Sequence, residues 1–227
     1  MTRDEERAAL AAYFPRGFPP AETLKGQNVT LEPIVDDSRF AELWDAFSKD
    51  EHGRIWDWLA GGPFGDFESF SRYASRAYLA AGHRFYAFVP RESGRAEGVA
   101  ALFRADLANG VIELGHICLA PSLQRTVAAS EGFFLMMELV LGALRYRRLE
   151  WKCNDGNEGS KRAAARLGFT YEGLFRQHMI VKGRNRDTAW FSLLDSEWPA
   201  QRKAFQAWLS PENFDAEGRQ LKSLGEA

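Results

Sequence analysis

The chain has 227 residues, 45% of them hydrophobic and 26% charged, a globular balance with room for one large domain or two small ones. Its 29 basic and 31 acidic residues leave a net charge of -2, so no global field favours nucleic acid or a membrane as partner. No run is long and apolar enough to span a bilayer, and the opening MTRDEERAAL is too charged for a secretory signal, so a cytoplasmic location is expected.

Residues 1–25 read as a lead-in, with a short charged helix and then an extended segment holding Pro15, Pro19 and Pro20. Val29 to Pro33 is a first strand, with proline at its end. From Asp36 to Phe47 the spacing of Phe40, Leu43, Trp44 and Phe47 predicts a packed helix. A glycine-rich aromatic loop follows, RIWDWLAGGPFGDF, before Glu68 to Ala81 returns to helical periodicity. Three strands come next, Arg84 to Val89, Gly98 to Arg104 and Val111 to Leu119. Hairpin-like turns join them, Asn109-Gly110 being the stronger signal, and an antiparallel meander results.

The third of these strands breaks at Ala120-Pro121-Ser122 and gives way to a long helix. Val127, Ser130, Phe134, Met137, Leu141 and Leu144 lie on one stripe of that helix, and much of its surface should be buried. Gly132 and Gly142 weaken it, which points to close packing against a sheet. Its N-terminus presents unpaired backbone N–H groups and the positive end of a dipole to an anion. Leu149 to Cys153 is then a strand, and strand, helix and strand in succession imply a parallel crossover. Asn157 is placed to cap a short helix that Gly168 stops. Tyr171 to Val181 and Asp187 to Leu194 form a hairpin about KGRNR, and Trp198 to Leu209 is a last helix. The division is a lead-in at 1–25, one mixed α/β domain at 26–209 and a polar tail at 210–227. Cys118 and Cys153 lie in apolar strands without metal-ligand spacing and are expected as buried, reduced thiols; no metal is expected.

The segment ELGHICLAPSLQR with its helix, the run NxxSxRAAxRLGF from Asn157 to Phe169, and YEG at Tyr171 together resemble the GCN5-related N-acetyltransferases (GNAT), in the branch of the ribosomal-protein N-terminal acetyltransferases. The resemblance covers roughly residues 26 to 200. It implies a single domain with a central, mostly antiparallel twisted sheet, a splayed parallel strand pair and flanking helices. It also implies acetyl-coenzyme A (acetyl-CoA) as acyl donor, its pantetheine arm along Ile117, Cys118 and Leu119 in the manner of an added strand. Its pyrophosphate would meet Gln124, Arg125, Thr126, Val127, Ala128 and Ala129. Here the chain departs from the family pattern, since Val127 and Arg125 stand where glycine is common. A valine side chain obstructs close backbone approach, while Arg125 offers a charge-assisted contact.

By the same resemblance Asn157 would bond the pantetheine amide, and the hydroxyl of Ser160 would protonate the departing thiolate. Glu113 matches an acidic position that could take the amine proton through water; the competing reading is an exposed strand glutamate. Glu150 and His116 are weaker candidates for a base. A backbone N–H near Cys118 or Leu119 would polarise the thioester carbonyl. Trp56, Trp58, Phe64 and Tyr73 would wall the acceptor site with the last hairpin, against the plainer reading of core packing. The expected activity is direct transfer of acetyl to a primary amine, whether a protein N-terminus, an amino acid or peptide, or a small amine. The alternative is a noncatalytic CoA-binding or interaction module. The expected partner is thus a peptide or small-molecule amine, with a homodimer left open.

Overall fold

The protein is described by a computed structural model over residues 2–5, 10, 13 and 15–225. Residues 3–5 are helical, and most of the helix expected in the lead-in lies outside the described residues. Among the described residues, eight strands form one sheet: β1 (Leu24–Lys25), β2 (Val29–Pro33), β3 (His83–Pro90), β4 (Gly98–Asp106), β5 (Val111–Leu119), β6 (Arg148–Asn154), β7 (Thr170–Val181) and β8 (Arg184–Leu194). Their order is β1-β2-β3-β4-β5-β6-β8-β7, and only β5 and β6 pair in parallel. The helices that flank it are α1 (Phe40–Phe47), α2 (Phe67–Tyr78), α3 (Val127–Met137), α4 (Glu158–Arg166) and α5 (Trp198–Trp208). Helices α1 and α2 bury one face of the β2–β5 half around Phe40, Phe70, Phe85 and Val99. Helices α3, α4 and α5 cover the opposite face in a larger core that includes Phe133, Leu167 and Phe205.

Several boundaries shift for local reasons. Helix α1 starts at Phe40, because Asp36 accepts the N–H of Ser38 at 3.0 Å and holds a turn there. Helix α2 starts at Phe67, where Asp66 caps it by accepting the N–H of Ser69 at 2.7 Å. The closing hairpin is tighter than KGRNR: Val181 pairs with Arg184 across Lys182 and Gly183, whose φ values of 49° and 71° make a two-residue turn. Strand β8 therefore begins at Arg184 rather than Asp187.

The single stripe expected on α3 is corrected by the structure. The helix is buried on consecutive positions, from Ala129 through Phe133 and again at Met136 and Met137, so no one face is the apolar one. It continues as a π-helical turn from Glu138 to Ala143. A Cβ at Gly132 would stand 2.2 Å from Phe88, so glycine there permits the close approach of helix to sheet. Glu131 is buried in the same stretch. Its carboxylate accepts the N–H groups of Gln27 and Asn28 at 2.6 Å each, tying the entry to β2 onto the helix.

The segment after α5 is folded back rather than trailing. Asn213 is buried, donates to the carbonyls of Trp208 and Lys222, and accepts the N–H of Lys222 at 2.9 Å. Phe214 packs on Trp208, and Leu224 is buried.

Candidate active site

Strands β5 and β6 pair only through Val111 with Arg148, Ile112 with Leu149 and Glu113 with Glu150. Beyond that point β5 stays with β4 as far as Leu119, and β6 stays with β8 as far as Asn154. The cause lies partly at His116. Between the pairs Ala101–Gly115 and Val99–Cys118, β5 takes one residue more than β4, and His116 has a φ of 50°. Such a bulge bends the strand. The inner edge of β5 is left without a strand partner from Leu114 onward, and a cleft of about 890 Å³ opens there. Ile117, Cys118 and Leu119 line one wall, Trp151, Asn157 and Ser160 another, and Gln124 to Val127 with Ala129 the head. Ala128 is half-buried beside them and packs toward the core.

The head of the cleft suits an anion. Thr126 caps α3 by accepting the N–H of Ala129 at 3.1 Å, so the preceding amides of Val127 and Ala128 remain the unpaired donors of the first turn. Arg125 has a φ of 63°, the region glycine prefers, and an arginine side chain is carried there instead. The Val127 side chain is half-buried and packed against the core. Gln124 donates to the carbonyl of Leu119 at 3.0 Å, closing the end of β5.

Charge strengthens this. Arg54, Arg125, Arg162, Arg166 and Arg219 all line the cleft, and no aspartate or glutamate is among the described lining residues. Arg166 donates to Ser130 and lies over Trp208, while Arg219 is held by Asp215 and Glu217. Trp208, Phe214 and Gln220, from α5 and the folded-back tail, complete that end. Of these residues only Arg125 was legible as a site residue from the sequence. The i, i+4 spacing of Arg162 and Arg166 on α4 was an available signal; the tail residues offered none. A long, carboxylate-free cleft with five arginines and free amides fits a ligand carrying several phosphates.

At the other end, Ser160 accepts the indole N–H of Trp151 at 2.9 Å. Its backbone N–H donates to the side chain of Asn157 at 3.0 Å, so Asn157 caps α4. Cys118 and Cys153 are free and buried, and burial pushes the thiol of each up, Cys118 far up. Neither is a thiolate near neutral pH.

Glu113 is not an exposed strand residue. It is buried, and one oxygen, Oε2, takes both Lys152 Nζ at 2.9 Å and Arg104 Nη1 at 3.1 Å. Its Oε1 has no hydrogen bond or ion pair among the described residues. Glu150 shares Lys152 at 2.7 Å and also holds Arg148. His116 meets the Tyr73 hydroxyl at 2.9 Å, and burial holds its pKa down at about 4, with His83 adding to the effect. Burial pushes the Tyr73 hydroxyl up to about 12, Cys118 adding to it.

The four aromatic residues separate. Trp58 is 43% exposed, lies over Gly156 and faces the cleft. Trp56 is buried, with Phe64 and Tyr73 packed beside it in the second core. Lys182, at the tip of the β7–β8 hairpin, donates to the carbonyl of Trp56 at 2.8 Å and brings the hairpin onto this loop.

A family model described as an acetyltransferase (GNAT) domain matches residues 28–170. A GCN5-related N-acetyltransferase from Brucella melitensis is 45% identical, covers 95% of this chain and 97% of its own, and superposes with a TM-score of 0.92. A GNAT-family acetyltransferase from Chromobacterium violaceum is 36% identical over 83% of this chain and 94% of its own, with a TM-score of 0.78. An acetyltransferase from Salmonella typhimurium, described as modifying the N-terminal serine of ribosomal protein L7/L12, shares the fold at 19% identity. It covers 76% of this chain and 99% of its own, with a TM-score of 0.65. No curated protein gives a significant match. The splayed β5–β6 pair, the cleft it opens and these relatives lead to one conclusion: the chain belongs to the GCN5-related N-acetyltransferase family.

Proposed function

We propose that the protein is an acetyl-CoA-dependent N-acetyltransferase that moves acetyl directly to a primary amine. The observation that carries this is the cleft itself, in which a carboxylate-free set of arginines leads from the head of α3 to the hydroxyl of Ser160. Acetyl-CoA, when bound, supplies an acyl group already activated as a thioester. The free edge of β5 at Ile117, Cys118 and Leu119 binds the extended arm, with a backbone N–H at Cys118 or Leu119 facing the carbonyl. The amides of Val127 and Ala128 and the side chain of Arg125 hold the diphosphate, beside Ala129. Asn157 has its side-chain N–H group available for the arm while its oxygen caps α4.

Ser160 gives its proton to the departing sulfur. The Trp151 N–H already occupies one lone pair of its oxygen, which both orients the hydroxyl and eases loss of its proton. Glu113 receives the amine proton through water at Oε1, the oxygen left free by its two cations. Trp58 lies where an incoming amine meets the cleft, and Trp56, Phe64 and Tyr73 shape the wall behind it. Buried reduced thiols are in keeping with a cytoplasmic setting.

Release of free CoA, measured against a panel of peptides, amino acids and aminoglycosides, tests the reading. Amine-dependent release is expected. Binding of acetyl-CoA without amine-dependent release would make the protein a noncatalytic CoA-binding module instead.

A further inference from the structure

Away from α3, the sheet carries a row of alternating charges: Arg104, Glu113, Lys152, Glu150, Arg148 and Glu172. Each cation meets a carboxylate, so the row is neutral in sum. Trp190 of β8 lies under Lys152, with the ammonium 3.9 Å from the ring centre, and this fixes which face of β8 joins the row. Strand alternation puts Arg186 on that same face, two steps beyond Thr188 and Trp190.

Arg186 is an added cation. Its side chain makes no hydrogen bond and no ion pair among the described residues. Its Nε is occluded without a partner, so only the two terminal nitrogens are left to meet a ligand. It lies within electrostatic reach of Glu113, Arg104 and Cys153. It stands two residues beyond Thr188, which pairs with Asn154 at the end of β6. Arg186 thus lies just beyond the end of β6, on the face of the sheet where Lys152 meets Glu113, the proposed base. The contact of Lys182 with the carbonyl of Trp56 ties its hairpin to the aromatic loop before α2.

An ammonium reaching this face of the sheet meets one positive charge too many unless it brings an anion with it. Resting on the acetyltransferase reading, we infer that Arg186 binds a carboxylate carried by the acceptor, end-on through its two terminal nitrogens. The acceptor class is then an amine that bears a carboxylate, and polycationic amines are poor substrates. The carboxylate belongs either to a free amino acid or to an acidic side chain beside a peptide N-terminus.

The test compares free amino acids with their carboxamides, and peptides with and without an acidic residue near the amine. The parent should favour the carboxylate-bearing member by about tenfold or more in kcat/KM, the size of one charge-assisted pair. R186A should lose that preference with an unchanged KM for acetyl-CoA, R186K should keep part of it, and R186E should shift preference toward cationic amines. A preference among free amino acids puts the carboxylate beside the amine; one confined to acidic peptides puts it on a side chain. Equal use of both members by the parent, or a preference that survives in R186A, overturns the inference. If no amine is acetylated at all, the acetyltransferase reading fails separately. Arg186 is then tested by calorimetry with N-acetyl amino acids and their carboxamides in the presence of CoA. A carboxylate preference lost in R186A supports the inference, and equal or absent binding overturns it.

Discussion

The indole N–H of Trp151 donates to the hydroxyl oxygen of Ser160 at 2.9 Å, and this contact joins the core of the sheet to the floor of the cleft. Trp151 is buried between Phe133 and Phe169, so the donor is rigid. Replacing Ser160 by alanine should lower kcat by roughly 10²-fold while leaving acetyl-CoA affinity nearly unchanged. Steady-state kinetics with direct binding of acetyl-CoA separates these. Full turnover in S160A would leave Ser160 only its place in the first turn of α4.

The arginines of the cleft should act on donor binding alone. R125E and R162E are each expected to raise the KM for acetyl-CoA by about tenfold or more, the scale of one charged hydrogen bond, with kcat largely kept. The effect should shrink as salt rises, since these groups are exposed. An unchanged KM at moderate salt would remove that arginine from the site.

Trp56 and Trp58 are two residues apart and should behave differently. W56A removes a buried ring, so a stability loss of about 3–5 kcal/mol is expected, with activity toward both substrates falling alike. W58A removes an exposed ring and should raise the KM of the amine more than that of acetyl-CoA at a similar melting temperature. Thermal melts and both constants on each variant check this. A melting temperature that falls in W58A with both constants would withdraw the acceptor role of Trp58.

His116 should make the fold sensitive to acid. Its folded pKa is about 4, whereas an unfolded histidine titrates near about 6.5. As pH falls, the unfolded chain takes the proton first, so stability is lost between these values and the loss is complete below about 4. The expected loss is on the order of 3 kcal/mol. H116N, which tolerates the positive φ, should lack this component of the profile in melts between pH 7 and 4. Parallel profiles for parent and H116N would refute the assignment.

Much of the fold was legible because its signals are local. Val29 to Pro33 and Val111 to Leu119 are strands with the bounds their composition gives, and the turn at Asn109-Gly110 joins antiparallel neighbours. The parallel crossover followed from strand, helix and strand in succession. The features that escaped depend on distant residues. The partners of Glu113 are Arg104 on β4 and Lys152 on β6, and nothing beside Glu113 in the chain announces that it is buried. The stripe on α3 failed because the sheet, the entry to β2 and α5 pack around it from several sides. Phe214 and Gln220 reach the cleft because Asn213 closes the tail onto α5, where Trp208 already lines it. Motif spacing brought Asn157 and Ser160 to the same wall of the gap as Trp151, while Arg186 looked like part of a basic turn.

The central claim is direct transfer of acetyl to an amine, with no acetylated protein on the way. Mass spectrometry of a single turnover measures it, following acceptor, free CoA and intact protein together. Acetylated amine should appear at the rate that CoA is released, with the protein mass unchanged throughout. Release of CoA before any amine is added, with acetyl retained on Cys118 or Cys153, would contradict it.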